Sequence, residues 1–254
     1  MKITRAVVPS LFTVLNIFCG FLSLIASTRN DFPMAAWFII LGAIFDSLDG
    51  IMARITKSSS AFGVEFDSLS DVVTFGAAPS LLIYQVHLHT LGGIGMLVSS
   101  MPMIFGGIRL ARFNVQLVGF DKDHFLGLPI PAQAVTICSF VLSYINGTNG
   151  ITGWQADILA PMVVVLSLFM VSTLKYDALP KFSKRSVKEH PFRFSLFLIG
   201  GVITAATRGR ALFFVLVFFI CMGAARWIVK SVQSIIKPTA VEEEEDAEIS
   251  SLDL

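Results

Sequence analysis

Charge is scarce in this chain. Only 15% of its 254 residues are Asp, Glu, Lys or Arg, whereas soluble domains carry about 25%, and that shortfall excludes a soluble globular domain. Cysteine is scarce too. Cys19, Cys138 and Cys221 each lie in an apolar segment, a spacing that suggests neither a disulfide framework nor a zinc site and leaves them as small hydrophobes. A cleavable leader is not expected: Met1–Ser10 is short and basic, but the apolar run after it continues to Ile25 without a convincing small-residue cleavage site.

What is abundant is apolar. Hydrophobic residues make up 54% of the chain, 23 of them Phe, and the mean hydropathy is +0.75. A helix needs about 20 apolar residues to cross the hydrocarbon. The sequence supplies about eight such stretches, roughly 7–28, 33–56, 64–86, 92–114, 129–147, 156–174, 192–207 and 210–231. The seventh is the shortest and holds Gly200–Gly201. Pro9, Pro33, Pro129 and Pro191 sit near span starts, where a missing N–H costs nothing. The expected fold is therefore all-α and polytopic, with about eight transmembrane helices.

Basic residues mark alternate ends. Lys2 and Arg5 precede the first span, Arg54 and Lys57 end the second, and Arg109 and Arg112 end the fourth. Lys175, Lys181, Lys184, Arg185, Lys188 and Arg193 fill the sixth connection, and Arg226, Lys230 and Lys237 close the chain's last span. The other connections are poor in base, with Arg29 alone in one, none in Asn146–Asp157, and Arg208 and Arg210 dissenting. This pattern fits an even number of spans with both termini cytoplasmic. Residues 1–237 then form the membrane unit, and 238–254, with the run Glu242–Asp246, a solvated and disordered cytoplasmic tail.

Three local patterns are read blandly. Asn146–Gly147–Thr148 is a chance match to a glycosylation sequon, and Gly92–Gly93–Ile94–Gly95 is a bend at a span start. His87 and His89 fall on the outer side, and His124 lies in a loop beside Asp121 and Asp123. None of the three histidines is given a role.

The informative feature is acid inside the spans. Asp46, Asp49, Gly50, Ala53 and Arg54 make one stripe of a helix, and Gly63, Asp67 and Asp71 follow at intervals of four on the next. Only the polar turn Lys57–Ser60 joins them. Asp46 lies eight residues deeper than Arg54, or about 12 Å at the helical rise, where a carboxylate costs about 2.5–3.5 kcal/mol on insertion scales. Four such groups also repel one another. They are tolerable when cations neutralise them, and hard oxygen ligands suit Mg²⁺ or Mn²⁺, with Ca²⁺ less distinctive. Two ions bridged by shared carboxylates could grip a diphosphate, while Gly50, Ala53 and Gly63 let a bulky ligand or a helix approach. The competing explanation makes the acids structural partners of Arg54, Lys57 and the Ser-rich turn. Four carboxylates on two faces favour a metal site.

Residues 46–71 match D-x2-D-G-x2-A-R-x8-G-x3-D-x3-D at every specified position. The stretch resembles the signature of the CDP-alcohol phosphotransferases. That resemblance implies a dimeric bundle of membrane helices, an active site at the cytoplasmic interface, two divalent metals and a CDP-linked lipid donor. It implies Asp46, Asp49 and Asp67 as metal ligands, and Asp71 as the base for the acceptor hydroxyl with metal contact as well. It also implies Gly50, Ala53 and Gly63 around the nucleotide, with Arg54 supporting the phosphates or the acidic cluster.

Beyond the signature, Phe62–Gly63, Phe66–Asp71, Thr74–Phe75–Gly76, Ala78–Pro79, Arg109–Asn114 and Gly127–Ala132 resemble the phosphatidylserine synthase branch. The expected reaction is transfer of the phosphatidyl group of CDP-diacylglycerol to L-serine, giving phosphatidylserine and CMP. Arg109 and Arg112 could hold the serine carboxylate with Asn114 as an added polar partner, or both arginines could be interface anchors. Glycerol phosphate, inositol phosphate and choline are the alternative acceptors, and no nucleic-acid partner is expected. A cation transporter is the contrasting class, but it predicts discontinuous helices and an internal repeat, and the acidic pattern has no second copy.

Overall fold

The computed structural model describes residues 7–56, 61–118, 127–145, 150–172 and 212–236. Its elements are all helical: α1 Val7–Thr28, α2 Phe32–Thr56, α3 Ala61–Asp71, α4 Ala78–Val86, α5 Gly92–Val118, α6 Ile130–Tyr144, α7 Trp154–Val171 and α8 Leu212–Ile236. A π-helical segment, Val72–Ala77, joins α3 to α4, and a 3₁₀ turn, Leu88–Leu91, precedes α5. No strand occurs among the described residues. The protein is an all-α, polytopic integral membrane protein.

The expected spans and the observed helices agree closely for 7–28, 33–56, 92–114 and 156–174. Five stretches among the described residues are long and apolar enough to cross a bilayer, and α6 and the first part of α8 are shorter apolar helices. The seventh expected span, 192–207, lies outside the described residues, as do the polar turn 57–60, the basic connection 175–193, His124, the sequon and the acidic tail.

α1 and α2 form a tight helical hairpin. Its turn is local chemistry: Asn30 adopts φ 59°, a left-handed conformation Asn tolerates well. Asp31 then accepts a hydrogen bond from the Met34 amide at 3.2 Å, an N-cap that satisfies one of the free donors at the start of α2. At the far end of the α4 rod Gly92 takes φ 57°, and a Cβ on Gly95 would run into the Leu88 carbonyl. The glycine-rich run is the expected bend.

The third span departs from a straight helix. Residues 61–86 run as one rod, but Val72–Ala77 widens into a π segment. Pro79 follows after one residue, Ala78. A proline cannot donate to the carbonyl four residues back and its ring crowds it, and a locally wider helix accommodates that. The sequence pattern of apolar residues carries no mark of the widening.

The 15-residue α6 is only about 22 Å long, shorter than the bilayer core. It lies inside the bundle, contacting α2, α4, α7 and α8, with Ile130, Ala134, Ile137, Cys138, Phe140 and Val141 buried. Outward-facing side chains such as Phe18, Trp37, Ile94 and Phe218 are exposed, as lipid-facing groups are. Cys19 and Cys138 are buried, Cys221 is exposed, and all three are free thiols.

Candidate metal centre

Asp46 on α2 and Asp67 and Asp71 on α3 bring carboxylate oxygens within 4.8 Å of one another. The helical spacing accounts for this. Asp67 and Asp71 are one turn apart on one face of α3, and α1 packs against both α2 and α3, bringing that face towards Asp46. It is the one group of three or more acidic, histidine or cysteine side chains with this convergence among the described residues.

Asp49 occupies the same stripe of α2 but lies outside the trio. Its Oδ2 accepts a hydrogen bond from Thr13 Oγ1 at 2.8 Å. It remains close enough to Asp46 and Asp67 to interact with them electrostatically. Four carboxylates are thus neighbours, three of them meeting at a point and the fourth turned towards α1.

The oxygens present suit a divalent cation. Asp49 is 9% exposed and Asp71 7%. Asp49 Oδ1 and Asp67 Oδ1 are buried with no hydrogen-bond partner among the described residues. A buried carboxylate oxygen left unpaired is costly, and an all-oxygen donor set is what Mg²⁺ and Mn²⁺ take. The site therefore fits a divalent metal on its own chemistry.

Nothing lies within 4 Å of where a Cβ on Gly50 would point, so α2 presents bare backbone and open space next to Asp49. Ala53 and Gly63 are half-buried near the ends of the two helices. The Arg54 backbone continues α2, and its side chain lies outside what is described.

The three α5 residues have different surroundings. Arg109 is 8% exposed, its Nε has no partner among the described residues, and its charge interacts with Asp71. Arg112 donates from Nη1 to the Val171 carbonyl at 3.1 Å, capping the C-terminal end of α7, while its Nη2 is also buried without a partner among the described residues. The Leu128 amide caps the neighbouring Phe169 carbonyl at 3.0 Å. Asn114 donates from Nδ2 to Ser68 Oγ at 3.0 Å and to Glu65 Oε2 at 3.4 Å, tying α5 to α3.

Two residues at the centre escape a reading by charge alone. Asn16 is fully buried and donates from Nδ2 to Asp71 Oδ1 at 3.2 Å, and Thr13 holds Asp49. The available signal is two polar side chains three residues apart on one face of a span that also carries Ser10, Ser23, Ser27 and Thr28. His87, His89 and Asp157 instead line an open cavity of about 490 Å³ beyond α4, where no group of three metal-ligating side chains converges among the described residues.

Carboxylates on the D-x2-D-G and G-x3-D-x3-D halves of one motif, Asp71 buried and Asp46 and Asp67 half-buried, meeting in a helical membrane bundle, define a class. The family profile for CDP-alcohol phosphatidyltransferases matches residues 6–178, and the chain belongs to that family. It is 40% identical to the CDP-diacylglycerol–serine O-phosphatidyltransferase of Helicobacter pylori (strain J99) over 227 residues, 89% of this chain and 93% of that one. It is 34% identical to the Bacillus subtilis protein of the same name over 181 residues, 71% of this chain and 94% of that one. An archaetidylserine synthase from Methanothermobacter thermautotrophicus is 39% identical over 179 residues, 69% of this chain and 72% of its own.

Proposed function

We propose that this chain is a CDP-diacylglycerol–serine O-phosphatidyltransferase, transferring the phosphatidyl group of CDP-diacylglycerol to the hydroxyl of L-serine with release of CMP. The observation that carries the chemistry is the approach of Asp46, Asp67 and Asp71 to within 4.8 Å. The names of the three relatives, which share serine and differ in the lipid, support the acceptor.

Asp46, Asp49, Asp67 and Asp71 would hold two divalent ions, Mg²⁺ or Mn²⁺, whose charge offsets that of the diphosphate and of the entering and leaving oxygens. Around them the residues have separate tasks. Asp71 accepts the serine hydroxyl proton, since an alcohol is a poor nucleophile until a carboxylate takes it. The serine oxygen bonds to the lipid-side phosphorus as the bond to the bridging oxygen breaks, and CMP leaves with that oxygen. Gly50, Ala53 and Gly63 leave room for the cytidine diphosphate, and Arg54 supports its phosphates.

Among the acceptor candidates Arg109 is the one that binds the serine carboxylate. Burial beside Asp71 supports this, because a desolvated guanidinium makes strong bonds to a carboxylate. Arg112 and Asn114 have their described bonds to Val171, Ser68 and Glu65, and act by fixing the α5 turns that carry Arg109.

The active site faces the cytoplasm, as the Lys and Arg distribution of the connections favours, and the donor's acyl chains stay in the bilayer. The protein works as a homodimer, in keeping with the family resemblance. Residues 1–237 form the catalytic unit, with 238–254 as an acidic cytoplasmic tail.

The test is an acceptor panel. Protein purified in mixed micelles with CDP-diacylglycerol and Mn²⁺ or Mg²⁺ is given serine, glycerol phosphate, inositol phosphate or choline, and CMP and the lipid product are measured. CMP release that requires serine and yields phosphatidylserine is expected. Product formation without serine, or with another alcohol in its place, would overturn the assignment.

A further inference from the structure

α1 carries none of the family's acidic motif, yet it touches two of the four aspartates. We propose that Thr13 and Asn16 form a positioning clamp that orients the Asp49 and Asp71 carboxylates towards the metal site. The inference rests on the metal reading above and adds a task for the first span.

Each clamp residue is fixed at both its side chain and its backbone. Thr13 Oγ1 donates to Asp49 Oδ2 at 2.8 Å, while the Thr13 carbonyl accepts from Ser70 Oγ at 3.2 Å. Asn16 Nδ2 donates to Asp71 Oδ1 at 3.2 Å, while the Asn16 carbonyl accepts from Thr74 Oγ1 at 2.9 Å. A helical carbonyl has a second lone pair for such a bond. Ser70 and Thr74 flank Asp71 in the same rod, so α1 and the aspartate-bearing segment hold one another in register. Gly20 permits the approach: a Cβ there would stand 2.6 Å from Thr74 Oγ1 and 2.9 Å from Thr74 Cα.

An aspartate carboxylate turns easily about χ2, and like-charged neighbours favour turning away. A donor on one oxygen selects an orientation and leaves the other oxygen for a ligand. Asp49 fits this, because Thr13 takes Oδ2 and Oδ1 is left buried and without a partner among the described residues. The chemistry of the two donors matters as well. A hydroxyl and an amide orient a carboxylate without cancelling its charge, whereas a lysine or arginine at the same place would compete with the cation.

The experiment measures Mn²⁺ binding to the full chain in detergent by depletion of the free-ion electron paramagnetic resonance signal, alongside thermal stability and turnover. Thr13→Val and Asn16→Ala each raise the apparent Kd for Mn²⁺ about tenfold, the lower range for partners of metal ligands. Thr13→Ser, which keeps the donor, binds Mn²⁺ like wild type. Phe213→Ala, which removes ring contacts between α8 and α6 and no bond of the clamp, lowers the melting temperature and leaves Mn²⁺ affinity unchanged. Wild-type affinity in both Thr13→Val and Asn16→Ala would overturn the clamp, as would an equal loss in Phe213→Ala. Absence of Mn²⁺ binding by the wild-type protein would overturn the metal reading itself, and the clamp with it.

Discussion

The two sides of the bundle are held together by different chemistry. Where α1, α2 and the α3–π–α4 rod meet, contact is made through hydroxyls, an amide and carboxylates: Thr13, Asn16, Ser70 and Thr74 around Asp49 and Asp71. Where α6, α7 and α8 meet, it is made through aromatic rings. Phe140 lies 4.9 Å from Tyr144 and 5.1 Å from Phe213, and Tyr144 lies 5.9 Å from Trp154. A polar tie among the described residues there is a long bond, Gln133 Nε2 to Ser167 Oγ at 3.5 Å. In a bilayer apolar contact between helices gains little over contact with lipid, so packing geometry and occasional polar bonds decide association. Polar groups at membrane depth are expensive. The α6–α7 side also buries Gln133, Thr136, Ser139 and Ser167, but the converging carboxylates lie with α2 and α3, which marks where the protein uses charge, and the aromatic side supplies a frame.

The contrast is broken most severely at Asp71. Asp71→Asn retains shape and the bond acceptor for Asn16 but removes the base. Turnover should fall by at least about 100-fold, the lower end for loss of a general base, with the melting temperature near that of wild type. Serine-dependent CMP release from purified protein, with size-exclusion behaviour as the check on folding, measures both. Turnover close to wild type would remove Asp71 from the base's role.

Arg109 is the next most sensitive point. Arg109→Gln removes a charge-assisted bond worth about 1.5–3 kcal/mol, so KM for serine should rise about tenfold to hundredfold while KM for CDP-diacylglycerol stays put. Arg112→Gln should raise KM for serine far less than Arg109→Gln does and lower the melting temperature, since its bond is to the end of α7. Steady-state kinetics on the pair distinguishes substrate contact from bracing. A rise in KM for serine in Arg112→Gln alone would reverse the assignment.

Much of the site was legible because its acids break the apolar rule of a membrane span, and helical spacing put Asp46 and Asp49 on one face and Asp67 and Asp71 on another. Spans were legible for the same reason of length and hydropathy. Less visible was Asp49's turn towards α1, because Thr13 is a common residue and one hydroxyl in a span carries no distinctive signal. The π segment was hidden as well. Pro79 follows it in the sequence, but a proline in a membrane helix is as compatible with a kink as with a widened turn. The difference between Arg109 and Arg112 could not be read at all, since both sit at the same end of α5 and only the third dimension sets one against Asp71 and the other against α7.

Gly42 tests how closely the polar side depends on small residues. A Cβ there would stand 2.6 Å from Thr74 Cγ2 and 3.1 Å from Asn16 Oδ1, so Gly42→Ala presses directly on the residue that holds Asp71. Overpacking of this kind costs about 1–3 kcal/mol, and Mn²⁺ affinity should fall with the melting temperature. On the aromatic side Phe213→Ala removes ring contacts with Phe140 and Tyr144 worth about 0.5–1.5 kcal/mol for an aromatic pair, and lipid can fill the space. Its melting temperature should fall by a comparable amount, with Mn²⁺ affinity unchanged. If Phe213→Ala weakened Mn²⁺ binding as much as Gly42→Ala did, the two sides would be one coupled unit rather than a frame and a site.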